Sequence, residues 1–162
     1  MIGTYLRMVP VVFSARLQPR DNVSQLPQRV RWREIDINRH MNQARYADAL
    51  ERGRAHWLVR SGAWDRFRQA GINPVVANQR IEYRRELAPR RRYLIDTRAV
   101  ALEDRLLHLE QLIVVGDRVH TRGDVRLIFV GPGGVQSHDV LQPLLDGLLA
   151  PSRPVADWRV TS

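Results

Sequence analysis

Residues 31–46 read R-W-R-E-I-D-I-N-R-H-M-N-Q-A-R-Y, and the fold is decided there. Asp36, Asn38, His40 and Asn42 recur at every second position as a strand-like segment runs out. A helical pattern begins immediately after them. Ala44, Ala47, Leu50, Arg54 and Trp57 follow steps of three and four, joined by Tyr46, Ala49, Gly53 and Leu58, which predicts a helix over 43–60. Asn42 is the residue type that caps a helix start, and Ser61-Gly62 the type that ends one. Four polar side chains, one of them acidic, are thereby gathered where the first backbone N–H groups of a helix have no partner inside the helix. A carboxylate placed there can act as base or nucleophile beside donors suited to a developing oxyanion.

On either side of this run the chain alternates. Residues 29–35 read as a first strand, and 63–70 as a short helix before Gly71. Strands are expected over 75–87, 93–102, 106–115 and 119–130, separated by Pro89, by Glu103-Asp104-Arg105 and by Gly116-Asp117. A strand, a long helix and four antiparallel strands make a sheet that must bury one face on that helix. Residues 1–27 look like an extension, with Tyr5, Leu6, Val9, Val12 and Phe13 on one sticky face. A terminal helix is expected over 139–149, and Trp158 is a side chain with somewhere to dock. This divides the chain into an extension 1–27, a domain 28–134, and a short helix and tail 135–162.

The motif D-x-N-x-H-x-N-x-x-x-Y, formed by Asp36, Asn38, His40, Asn42 and Tyr46, resembles that of hotdog-fold acyl thioesterases. The likeness is to the 4-hydroxybenzoyl-CoA and acyl-ACP branches. It implies an α+β fold, a single hotdog domain whose five-stranded antiparallel sheet wraps one long helix. It also implies hydrolysis of an acyl-CoA or acyl-ACP thioester without a metal or redox cofactor. Asp36 is then general base or nucleophile, and Asn38 and His40 hold the carbonyl or the attacking water. Backbone N–H groups of Asn42 and Gln43 are the oxyanion donors, and the acyl group lies beside Tyr46 and Leu50. The resemblance further implies a homodimer or higher homo-oligomer with its site at the subunit interface. Ala47, Ala49 and Gly53 are the small residues expected at the closest approach of two helices. Arg39 stands where many relatives have glycine, and Gln43 where many have asparagine.

Composition narrows the alternatives. All 26 basic residues are arginine, so lysine chemistry is excluded, and with no cysteine there is no thiolate nucleophile or zinc ligand. A calcium loop would need glycine and glutamate where Met41 and Ala47 stand, so no metal is expected. The net charge of +9 suits a phosphate-rich ligand, a nucleic acid or an anionic membrane. Nucleic acid is disfavoured by 7% aromatic content and the lack of any DNA- or RNA-binding motif. A non-catalytic acyl-CoA-binding protein is the nearer alternative. Arg90, Arg91 and Arg92, with Arg84 and Arg85 beyond Pro89, form the densest basic cluster, fit either to hold the coenzyme A phosphates or to charge a sheet edge. No apolar run reaches the length of a membrane span. The expected location is the cytoplasm, with the N-terminal extension as the part able to meet a membrane.

Overall fold

The computed structural model describes residues 2–155, with side chains described from Met8 onward. Helix α1 (Ile2–Arg16) is followed by strand β1 (Val23–Arg29) and a single 3-10 turn (Trp32–Glu34). Helix α2 (Gln43–Arg60) and the short α3 (Ala63–Gln69) come next. Strands β2 (Asn73–Tyr83), β3 (Arg92–Glu103), β4 (Leu106–Val115) and β5 (Arg118–Gly131) complete the main sheet. A two-residue strand β6 (Gly134–Val135) hairpins onto β5, and α4 (His138–Leu145) ends the regular structure.

Every strand pairs antiparallel in the order β1-β3-β4-β5-β2, so β1 and β2 are the two edges. The sheet curls around α2 because its inward side chains and the apolar stripe of the helix have only each other to cover them. Trp57, Phe67, Phe129, Leu109 and Leu141 fill one end of this core. Tyr46, Leu50, Leu87, Ile95 and Ile113 fill the end nearer the start of α2. This is the hotdog arrangement.

Gly53 lets the helix come close to the sheet. A Cβ there would lie 2.5 Å from Ile95 Cγ2 and 2.9 Å from Thr97 Oγ1. Gln111 faces the same gap from β4, donating to the Leu50 carbonyl at 2.8 Å and to Thr97 Oγ1 at 3.0 Å. Gly53 and the fully buried Ala49 therefore face their own sheet, not a second helix as their size suggested.

The first strand lies earlier than expected. Residues 23–29 carry it, whereas Trp32–Glu34 turn because the Glu34 carboxylate accepts the Arg31 N–H at 2.8 Å. Pro27 is tolerated in β1 because an edge strand leaves one side of its backbone without ladder bonds. The preceding residues are more than an appendage. Val11 and Ala15 of α1 are buried, Val11 in the same cluster as Leu26 and Val30.

Beyond α4, residues 150–155 lie along the outer face of β3 and β4. Ala150 N–H donates to the Ala99 carbonyl, and the Ser152 hydroxyl and Arg153 N–H both donate to the buried Glu110 carboxylate. Trp158 lies outside the described residues, as do the side chains of Tyr5 and Leu6. No helix among the described residues is long and apolar enough to cross a membrane.

Candidate active site

The motif residues form a tight loop. Asp36 and His40 close it through Asp36 N–H to the His40 carbonyl (3.0 Å), and Arg39 N–H returns to the Asp36 carbonyl (3.1 Å). Arg39 takes φ = 64°, a left-handed conformation that glycine adopts without cost and arginine does not. Ile35 and Met41 pair across the loop's base. Met41 N–H then donates to the Leu87 carbonyl (2.9 Å), and Leu87 N–H donates to the Tyr46 hydroxyl (3.2 Å). The segment after β2 is thus tied to both the loop and the first turn of α2.

Between these parts lies a cleft of about 630 Å³, lined by Asp36, Asn38, His40 and residues 41–44 with Tyr46 on one side. Tyr83, Arg85 and Glu86 line the other. The Asp36 carboxylate uses Oδ1 to accept the Asn38 N–H at 2.9 Å. His40 Nε2 lies 3.0 Å from a Glu86 carboxylate oxygen, while its Nδ1 is buried without a partner. Tyr46 and Tyr83 meet edge to face with ring centres 5.0 Å apart. Burial raises the Tyr46 phenol above its ordinary pKa, and the nearby charges of Glu86 and Asp36 push the same way, so it stays neutral.

Asn42 caps α2, its Oδ1 accepting the Ala44 N–H at 2.9 Å. Its own N–H donates to the Glu34 carbonyl at 2.8 Å, which corrects the expectation that it serves an oxyanion. Arg45 N–H is likewise taken, by the Asn42 carbonyl. Gln43 N–H, the first of the helix, meets no acceptor among the described residues. One backbone donor, not two, is left open at this helix start.

Of the expected substrate-binding residues, Tyr46 lines the cleft. Leu50 is fully buried one turn further along, where its methyl group fills the space beside Gly123, and it is not part of the lining. Arg90, Arg91 and Arg92 are exposed at the turn into β3 and also lie outside the lining. Arg90 adopts φ = 61°, and its carbonyl accepts Arg29 Nε–H at 3.0 Å. Arg91 comes near enough to His120 to help lower its pKa, after burial, the larger cause. From the sequence, Arg85 is expected only as part of the basic cluster, and Tyr83 and Glu86 only as members of a strand over 75–87. The sequence carries no signal that the strand ends at Tyr83 and that all three line the cleft.

The thioesterase-like superfamily model matches residues 30–143. Two curated proteins named THEM6 are similar in sequence. The one from Drosophila melanogaster is 28% identical over 149 residues, spanning 88% of this chain and 75% of that protein. The one from Xenopus laevis is 30% identical over 119 residues, spanning 68% of this chain and 55% of that protein. Among solved structures, the probable thioesterase YbaW from Escherichia coli superimposes with a TM-score of 0.72 at 23% identity. That match covers 78% of this chain and 98% of the other.

Proposed function

This chain belongs to the thioesterase-like superfamily, and on that premise we propose that it hydrolyses an acyl-CoA or acyl-ACP thioester in the cleft beside the start of α2. The observation that carries this reading is the meeting of the Asp36 carboxylate with the open Gln43 N–H in one cleft. The thioester carbonyl oxygen sits against Gln43 N–H, where the helix terminus stabilises the charge that develops on it. Asp36 either takes a proton from the attacking water or attacks the carbonyl carbon itself. On the first route the C–S bond then breaks and the thiolate takes the proton that Asp36 removed from water. On the second the departing thiolate leaves an acyl–Asp36 anhydride, which water hydrolyses to the acid and the free carboxylate, the other proton of that water passing to the thiolate. Asn38 and His40 orient the water or the carbonyl, and Glu86 holds the imidazole in place.

A homodimer completes the site in this reading. Strand β2 is an eleven-residue edge with Val75 and Val76 both more than two-fifths exposed, an unprotected edge that a second copy would cover. Tyr83, at the end of that same strand, lines the cleft, so a partner paired along β2 reaches it.

The test is Asp36→Asn, assayed by thiol release over a panel of acyl-CoA esters. The substitution keeps the shape and removes the base, so turnover falls at least ~10²-fold while the thermal melt is unchanged. Near-wild-type turnover of a good substrate by this variant would sink the mechanism. A wild-type protein that binds acyl-CoA and never releases thiol would leave a binding protein in its place.

A further inference from the structure

A second cavity, of about 270 Å³, opens between α1, the 3-10 turn and α2, and shares no lining residue with the cleft. Arg31, Arg33, Arg45 and Arg52 line it, against two carboxylates, Glu34 and Asp48. Asp48 is matched to Arg45 at 2.9 Å. Glu34 stands 3.9 Å from Arg52, whose Nε is buried without a hydrogen-bond partner. No carboxylate pairs with the guanidinium of Arg31 or Arg33 among the described residues, Glu34 meeting only the Arg31 backbone N–H. The cavity therefore holds an excess of guanidinium groups, the geometry that accepts phosphate oxygens.

Pro10 of α1, itself exposed, is the one apolar residue of the lining. On either side of Pro10, Val9, Phe13 and Leu17 line up at intervals of four along α1 and the turn that follows it, and are 63%, 64% and 72% exposed. They face away from Val11 and Ala15, which fix the helix to the body of the protein. Arg16 adds an exposed guanidinium beside the same stripe. Helix α1 packs against α2 and buries Val11 in one cluster with Leu26 and Val30, so the stripe is carried by an element other than the β2 edge proposed to pair.

We propose that this face docks on an anionic phospholipid bilayer, with Val9, Phe13 and Leu17 in the acyl boundary and a lipid phosphate in the arginine-lined cavity. Exposed apolar side chains along a helix and clustered arginine are the two attractions that together hold a helix at a lipid surface. The occupant is a bilayer and not a soluble phosphate because Pro10, between Val9 and Phe13 on α1, also lines the cavity and so joins it to the apolar stripe. A soluble anion would use the arginines and leave the stripe uncovered. The docking is independent of the reaction assigned to the cleft.

Flotation of the full chain with vesicles tests this, using phosphatidylcholine alone and phosphatidylcholine with about 30% phosphatidylglycerol. The wild type floats with the anionic vesicles and not with the neutral ones, and ~0.5 M salt weakens it. The pairs Arg31→Gln with Arg33→Gln, and Phe13→Ser with Leu17→Ser, each lower the partition coefficient at least ~10-fold. All four positions are exposed, so melting temperatures stay at the wild-type value. Where a pair does lower the melt, the single variants Arg33→Gln and Phe13→Ser give the same reading. No flotation, equal flotation with neutral vesicles, or indifference to either pair overturns the proposal. So does glycerol phosphate binding in calorimetry by a protein that no vesicle retains, which would make the cavity a site for a soluble anion.

Discussion

Acid should weaken this fold through one histidine. His56, in the fourth turn of α2, is fully buried, and its Nδ1 shares a hydrogen bond of 2.5 Å with Ser24 Oγ on β1. Its Nε2 has no partner, so a proton added there would bring an uncompensated charge into the core. Burial, reinforced by Arg60 one turn away, lowers its pKa from 6.5 to about 4. Between those values the unfolded chain binds a proton that the folded chain refuses, so stability falls as pH falls. The stabilisation is whole above pH ~6.5, declines by up to ~1.4 kcal/mol per pH unit, and is spent near pH ~4. Two and a half units correspond to roughly 3 kcal/mol, a large share of the ~5–15 kcal/mol typical of a domain. Urea unfolding at intervals from pH 7.5 to 4, for the wild type and His56→Gln, measures it. Carboxylates titrate in both proteins, so the difference between the two curves isolates the histidine. Glutamine retains a group able to bond Ser24, and its curve should lack the slope between pH 6.5 and 5. A difference between the curves that stays constant across that interval would refute the reasoning.

Gly53→Ala should destabilise, because overpacking against Ile95, Thr97 and Gln111 costs about 1–3 kcal/mol and outweighs a gain of ~1 kcal/mol in helix propensity. A urea midpoint above that of the wild type would mean that the sheet yields to the added methyl. Replacing Arg90, Arg91 and Arg92 together with Gln should raise KM for acyl-CoA ~10-fold with kcat little changed, if they hold the nucleotide phosphates. A pantetheine thioester lacks those phosphates and should be unaffected, and indifference of both substrates would leave the cluster as a charged edge.

What could be read from the sequence was what is settled locally. The bounds of α2, its Asn42 cap and its stop at Ser61 depend on side-chain period and on hydrogen bonds within two or three residues. Strand β5 was legible because it alternates cleanly, and β4 because an apolar run stands between two turn signals. The first strand was not. Pro27 and the glutamines beside it look like a linker, and only the place of β1 at the sheet edge makes that composition acceptable. Sequence spacing also says nothing of the contacts that bring Glu86 to His40. Those depend on Leu87 being tied at both its N–H and its carbonyl, to Tyr46 and Met41, which lie more than forty residues away along the chain.

The motif itself owes its spacing to something other than strand alternation. In an extended chain, Asp36, Asn38, His40 and Asn42 would project from one face about 7 Å apart in succession. Here the chain instead folds back between Asp36 and Arg39, so that the Asp36 carboxylate caps the Asn38 N–H and the backbone of His40 returns beside that of Asp36. A reversal this tight needs one residue with positive φ, and that residue is Arg39. The glycine found there in many relatives and the arginine found here then satisfy the same backbone demand, at different conformational cost. The return of the chain also sets the register for Met41 to reach Leu87, and for Asn42 to give up its N–H to Glu34 while its side chain caps α2. The backbone of each polar residue of the motif is thereby occupied in building the loop, and what remains unspent around the cleft is one Asp36 carboxylate oxygen, the Asn38 amide, one imidazole nitrogen and the N–H of Gln43.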